Sequence, residues 1–198
     1  MKKNETITLM CYACKNLIRV HGLFYPEYYA RDFVSSEIYY GLNKCPHCKE
    51  IDDRLCEEID EEFAYEIALL NKKGYQTEFS CASHSEEDPL MYVVFSYASD
   101  FEGISAPEHF YFETTDGGCI VLRNSEKESY AIVPMIPLTH ENWEKIHKVH
   151  MDTFKKWVND LPSLIDNADL NVKVKDINVT MKKIKPRKND KKSKKVEA

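Results

Sequence analysis

The sequence of 198 residues predicts an α+β fold, and three observations lead to that prediction. Two Cys-x-x-Cys pairs lie near the start of the chain, two later segments have helical periodicity, and several segments between and after them alternate between apolar and polar residues or flank a hairpin signal. Together these patterns predict an N-terminal four-cysteine zinc ribbon followed by an antiparallel sheet with two helices.

The two Cys-x-x-Cys pairs predict a metal site. Cys11 and Cys14 form the first pair, and Cys45 and Cys48 form the second, so that each turn supplies two thiolates. Four thiolates are a common ligand set for structural Zn²⁺, which is tetrahedral and leaves no position for a substrate. Redox catalysis by one pair is the alternative, but that motif usually occurs singly at the start of a helix. The sequence therefore predicts one structural Zn²⁺ bound by these four cysteines.

The position of the cysteines also divides the chain. We predict a zinc-ribbon module at 1–50, an α+β domain at 51–181 and a basic, disordered tail at 182–198. The 30 residues between the two pairs exceed the roughly 15–20 of a compact ribbon, and they are rich in tyrosine. Such an insert either packs on the zinc module or binds a ligand, and the sequence leaves both open.

Two segments have the periodicity of amphipathic helices. In the first, residues 52–73, apolar side chains spaced by three or four follow one stripe and acidic residues gather at the start. Gly74 follows at the position of a left-handed C-terminal cap. The second segment, residues 140–160, follows Thr139, which is a favourable N-cap residue.

The remaining patterned segments predict strands. They are Tyr75 to Cys81, Leu90 to Phe95, His109 to Glu113, Cys119 to Arg123, Tyr130 to Ile136 and Val172 to Met181. In the first of these, alternation places Thr77 and Phe79 on one half-buried face. Asp116-Gly117-Gly118 separates the third and fourth and is a strong hairpin signal.

The charge is unevenly distributed along the chain. The net charge is −6, but residues 169–198 contain 11 basic and 4 acidic residues, a balance of +7, which leaves −13 for the rest. A basic tail contacts a nucleic acid or an acidic partner, or it is a solvated end that aids solubility, and the last is favoured. The sequence has no apolar run long enough for a membrane span, and its first residues are polar. We therefore expect a cytoplasmic protein with reduced thiols.

Two further groups of residues could carry chemistry. Cys81 and His84 stand three apart where a strand ends, so both could reach one metal ion or one ligand, or act as a nucleophile and its base. The simpler interpretation is a small buried cysteine that closes the strand, with a histidine in a surface loop. His147 and His150 lie on the apolar stripe of the second helix, which favours buried, hydrogen-bonded histidines over a metal half-site.

The segment from Glu66 to His84 resembles a known group of proteins. Its pattern Leu-Asn-Lys-Lys-Gly-Tyr-x-Thr-x-Phe-x-Cys-x-x-His is similar to that of uncharacterised zinc-ribbon proteins of low-GC Gram-positive bacteria and their phages, in which Gly stands at the position of Ser83. A fainter similarity, in the Ser-Cys turn alone, is to the wybutosine-synthesis methyltransferase family. The first resemblance implies architecture and a bacterial or phage origin, and neither implies an activity.

The sequence favours a non-enzymatic function, because it lacks a complete catalytic set of residues. We expect a zinc-stabilised binding protein, encoded by a phage and acting on a host protein or a nucleic acid. The alternative is a small enzyme or ligand-binding domain that uses Cys81 and His84.

Overall fold

The computed structural model describes residues 5–23, 44–50, 56–85, 87, 89–115, 117–124 and 139–178. Three sequence predictions lie outside these residues: the tyrosine-rich part of the insert at 24–43, the strand at 130–136 and the disordered tail at 182–198. The described elements are β1 (Glu5–Cys11), β2 (Leu17–Leu23), β3 (Cys56–Ile59), α1 (Ala64–Lys73), β4 (Thr77–Cys81), β5 (Tyr92–Phe95), a 3₁₀-helix (Ala98–Phe101), β6 (Phe110–Thr114), β7 (Ile120–Asn124), α2 (His140–Asp160) and β8 (Val174–Asn178). The predicted α+β class is confirmed.

The strands belong to two four-stranded sheets, a division that the sequence did not reveal. The first sheet has the order β3-β1-β2-β8, and the second has the order β4-β5-β7-β6. Every described pairing is antiparallel except that of β2 with β8, which is parallel. The late strand predicted at 172–181 is therefore present at Val174–Asn178, and it joins the sheet that carries the first cysteine pair.

The predicted helix at 52–73 begins later than the periodicity indicated. Residues 56–59 form β3, with Cys11 opposite Cys56 and Thr8 opposite Ile59, and α1 begins only at Ala64. The reason is tertiary: β1 is buried, so the backbone groups along its outer edge need partners, and β3 supplies them. The end of the helix is as predicted, because Gly74 has a φ of 102° and donates its N–H to the carbonyls of Leu70 and Asn71.

The second sheet contains the predicted hairpin. Strands β6 and β7 pair antiparallel across residues 115–119, and Gly118 there has the left-handed φ of 80° that favours glycine. Strand β5 lies inside the sheet, between β4 and β7, as the apolar run predicted. In β4, however, Thr77 pairs with Phe95 and Phe79 with Val94, so that β4 contains a bulge.

The bulge changes the face on which Phe79 lies. Thr77 is buried, but the side chain of Phe79 is 65% exposed, so the prediction that both share a buried face is wrong. Alternation in the sequence assumes an unbroken strand, and one inserted residue moves every later side chain to the opposite face.

The main core lies between the two helices and one face of each sheet. Aromatic rings meet at its centre, with the centroids of Phe63 and Phe154 4.7 Å apart and those of Phe95 and Phe101 4.5 Å apart. Leu17 from the first sheet and Leu122 from the second are both buried in this core, which joins the two sheets into one hydrophobic unit.

Helix α2 has a well-defined start and end. As predicted, Thr139 caps its start: the hydroxyl accepts a hydrogen bond from the N–H of Asn142. The end is capped by a cation from α1, since the buried ammonium of Lys73 donates to the carbonyl oxygens of Val158, Asn159 and Leu161 at 2.6–2.9 Å. None of the helices in the described part of the chain is long and apolar enough to cross a membrane.

The Lys73 cap is a testable feature of the fold. Burial lowers the pKa of Lys73, while the nearby Asp160 opposes that shift, and the hydrogen bonds to three carbonyls compensate for the burial of the charge. We predict that Lys73→Met leaves those carbonyls unsatisfied and lowers the free energy of unfolding by about 2–4 kcal/mol in urea titrations. The adjacent Lys72→Met, which removes a more exposed lysine, is the control and should change it by less than about 1 kcal/mol. Equal effects of both variants would contradict the role assigned to Lys73.

Candidate metal centres and an exposed sheet face

The four cysteines predicted to bind a metal lie together in the structure. Their Sγ atoms are all within 4.8 Å of one another, with 3.9 Å between Cys11 and Cys48 and 3.8 Å between Cys14 and Cys45. These separations are far longer than the roughly 2.05 Å of a disulfide bond. The cluster could therefore hold a metal ion.

The two Cys-x-x-Cys turns have the same backbone geometry. In each, the N–H of the first cysteine bonds the carbonyl five residues later, and the N–H of the following lysine bonds back to that cysteine's carbonyl. These lysines, Lys15 and Lys49, have left-handed φ values of 54° and 68°. The repeat brings two equivalent half-sites face to face, as a tetrahedral ion requires.

The surroundings of the sulfur atoms also fit a metal centre. Burial raises the pKa of the Cys11 and Cys45 thiols, whereas hydrogen bonds from Asn16 lower the pKa of Cys14 despite its burial. The N–H of His47 points at Cys45 Sγ, 3.4 Å away, and so stabilises negative charge on the sulfur. Thiolates buried in this way need a cation to compensate for the loss of water.

The first sheet supports this centre. A second buried cluster lies on its face opposite the main core and includes two of the candidate ligands: Ile7, Leu9, Cys11, Ile18 and Val20 come from the sheet, and Cys45 packs with them. His47 Nε2 also lies 2.9 Å from the carbonyl oxygen of Leu17 at the start of β2. The four-cysteine cluster is thus anchored in apolar packing and in the backbone of the sheet.

A second group of ligand atoms lies where β4 ends. Asp60, Cys81 and His84 each present one ligand atom, and these atoms lie within 4.8 Å of one another. His84 Nε2 is 3.6 Å from both Cys81 Sγ and Asp60 Oδ2. The structure therefore brings the two predicted residues together and adds Asp60, which the sequence did not single out because it lies 21 residues before Cys81.

The arrangement differs from a nucleophile–base–acid relay. In such a relay one ring nitrogen of the histidine faces the nucleophile, and the other faces the acid that orients the ring. Here the carboxylate of Asp60 and the sulfur of Cys81 both face Nε2 of His84. A nitrogen, a sulfur and an oxygen that all face one another in this way could hold a metal ion.

The loop that carries His84 is held in a left-handed turn. Ser83 has a φ of 68°, so the backbone keeps the conformation that glycine favours although the residue is serine. The hydroxyl of Ser83 accepts a hydrogen bond from Trp143 Nε1 at 3.1 Å, which ties the loop to α2. The N–H of Ala82 donates to Asp60 Oδ2 at 2.8 Å.

The two histidines of α2 are partly or fully buried and bonded, as the sequence favoured. His147 Nε2 lies 2.6 Å from Glu62 Oε2, and His150 is buried beside Asn124. The amide of Asn124 accepts from the N–H of Met91 and donates to the carbonyl of Pro89, so its Nδ2 is the atom that faces His150 Nδ1, 3.4 Å away. The imidazole of His150 is therefore a neutral acceptor at Nδ1.

One face of the second sheet points away from the main core. The side chains on this face are exposed or half-buried and include aromatic and branched residues: Phe79, Tyr92, Val94, Tyr111, Val121 and Arg123. We call this set the outer face. Phe79 is 65% exposed, and Arg123 lies 5.1 Å from the centroid of the Tyr111 ring and pairs with Glu113. Sequence reasoning missed this surface because the bulge in β4 creates part of it.

Comparisons with protein-family models, with curated proteins and with solved structures found no match to this chain.

Burial of His150 predicts a pH dependence of stability. Burial, with the nearby His109 and His147, lowers the pKa of His150 to about 4 from an ordinary 6.5. Between these values the unfolded chain takes up a proton that the folded chain does not, so the free energy of unfolding falls as the pH is lowered through this window. We predict a loss of at most about 3 kcal/mol from this residue, measured by urea denaturation at pH 7, 6, 5 and 4.

The comparison of two variants isolates this effect. His150→Gln should flatten the dependence on pH, whereas His140→Gln, at an exposed position at the start of the same helix, should retain it. A His150→Gln variant that loses stability with pH as steeply as the wild type would refute the assignment.

Proposed function

We propose that the four-cysteine cluster binds one structural Zn²⁺. A tetrahedral zinc with Zn–S bonds of about 2.3 Å separates its sulfur ligands by about 3.8 Å. The separations of Cys11 Sγ from Cys48 Sγ, 3.9 Å, and of Cys14 Sγ from Cys45 Sγ, 3.8 Å, agree with that edge length. A zinc with four thiolates has no open position, so this ion stabilises the fold rather than catalysing a reaction.

The zinc would hold together parts of the chain that are distant in sequence. It joins the turn at the end of β1 to the turn at 45–48, and so fixes both ends of the insert between them. Because such a site does not exist in the unfolded chain, the free energy of metal binding contributes directly to folding. The ion would therefore have a structural role in a protein that acts through its surface.

We propose that the protein is a binding protein and that the outer face is its binding surface. The exposure of Phe79 is the observation that supports this most strongly, because Phe79 lies beside the half-buried Val94 and Val121 across the sheet, and contiguous exposed apolar patches mark interaction sites. Aromatic residues and arginine are also enriched in protein–protein interfaces, and the outer face carries Phe79, Tyr111 and Arg123.

Charge favours a protein over a nucleic acid as the partner of the outer face. Arg123 is paired with Glu113, and the chain outside residues 169–198 has a net charge of −13, which repels phosphate. The basic tail remains a separate candidate for a nucleic-acid contact. From the pattern of Glu66 to His84, which is similar to that of proteins from Gram-positive bacteria and their phages, we further propose that the protein is encoded by a phage and that its partner is a protein of the bacterial host.

Truncation of Phe79 tests this function. We predict that Phe79→Ala weakens binding of the host partner by about tenfold or more, because aromatic side chains at the centre of an interface contribute about 1–4 kcal/mol to the free energy of binding. The matched control is Tyr65→Ala, which removes an aromatic residue on α1 that is 45% exposed. Binding is measured by affinity capture from host lysate, followed by titration of the isolated partner, with circular dichroism to verify folding.

The outcomes separate the proposals. Capture that survives nuclease, is lost in Phe79→Ala and is retained in Tyr65→Ala supports a protein partner at the outer face. Capture that nuclease abolishes, or that deletion of 182–198 removes while Phe79→Ala retains it, would replace this proposal with a nucleic-acid contact through the tail.

A further inference from the structure

The cluster of Asp60, Cys81 and His84 differs from the four-cysteine centre in chemistry and exposure. It combines a carboxylate, a thiol and an imidazole, and the side chain of His84 is 60% exposed. Zinc sites that keep one position for a water or a substrate have three protein ligands, drawn from histidine, carboxylate and cysteine side chains.

The distances in this cluster fit one ion. With Zn–S of about 2.3 Å and Zn–N of about 2.0 Å, tetrahedral geometry separates sulfur from nitrogen by about 3.5 Å. Cys81 Sγ lies 3.6 Å from His84 Nε2, and Asp60 Oδ2 lies 3.6 Å from the same nitrogen. The third separation, between Cys81 Sγ and Asp60 Oδ2, is within 4.8 Å, so the three atoms are close enough to share one ion.

The ligands are held in place by neighbouring groups. Asp60 Oδ2 accepts the N–H of Ala82, a hydrogen bond that also sets the distance from the Asp60 turn to the end of β4. The left-handed turn at Ser83 brings His84 back toward Cys81, and Trp143 fixes that turn from α2. Hydrogen bonds around metal ligands orient them and raise metal affinity.

We propose that Asp60, Cys81 and His84 form a second binding site for Zn²⁺ or a similar divalent transition-metal ion, with a position left for a water or an exogenous ligand. Three ligand groups converge here among the described residues, and a tetrahedral ion takes four. Cys81 lies opposite Tyr92 in the ladder, so the site borders the outer face, and a bound partner could supply the fourth ligand. This inference rests on the three side chains alone and does not require the four-cysteine centre.

Metal stoichiometry tests the site. Equilibrium dialysis of the full chain against Zn²⁺, followed by elemental analysis, should give two zinc ions per wild-type chain, and one per chain for both Cys81→Ser and His84→Ala. His84 is largely exposed, so its truncation leaves the core intact. Cys119→Ser is the matched control: it removes a half-buried thiol outside both clusters and should retain two.

The open position has its own test. Co²⁺ replaces Zn²⁺ and absorbs visible light according to its ligands, so azide should change the spectrum of the wild-type chain and leave that of His84→Ala unchanged. A wild-type chain with one zinc, lost in Cys45→Ser and retained in His84→Ala, would overturn this inference while leaving the four-cysteine centre intact. Two zinc ions with no response to azide would refute the open position.

Discussion

The structure depends on the convergence of four sulfur atoms that come from turns 30 residues apart in sequence. Cys11 ends β1, the chain turns through Cys14 into β2, and the second pair contacts β2 through His47. Buried thiols with a raised pKa become good ligands only when a cation compensates their charge. A metal ion bound there would therefore fix the turn at 45–48 against the first sheet.

Local features of this fold could be predicted from the sequence, and contacts between distant segments could not. Gly74, Thr139 and the turn before β7 act through their own backbone neighbours, so sequence pattern alone predicts them. Strand β3 forms because β1 offers free backbone groups, and although the pattern at 172–181 predicted β8 as a strand, no local pattern encodes its parallel pairing with β2. The helical periodicity across 56–59 was misleading because tertiary pairing outweighs weak local propensity.

The same distinction applies to the candidate sites. The four cysteines could be predicted because fixed spacing within each pair is a local signal, as is the short spacing of Cys81 and His84. Asp60 could not be predicted, since only the fold brings it to His84. The exposure of Phe79 likewise depends on a bulge that shifts the register between β4 and β5. We therefore propose different roles for the two sites. The four-cysteine cluster binds a metal that stabilises the fold, and the cluster of Asp60, Cys81 and His84, at the edge of the outer face, binds a metal with an open position.

The most direct test of this account is the coordination shell of the zinc itself. X-ray absorption at the zinc edge, on the full chain carrying His84→Ala so that the second cluster is disabled, should show four sulfur atoms at about 2.3 Å and no lighter ligand. A first shell containing nitrogen or oxygen, or a folded chain that takes up no zinc, would contradict it.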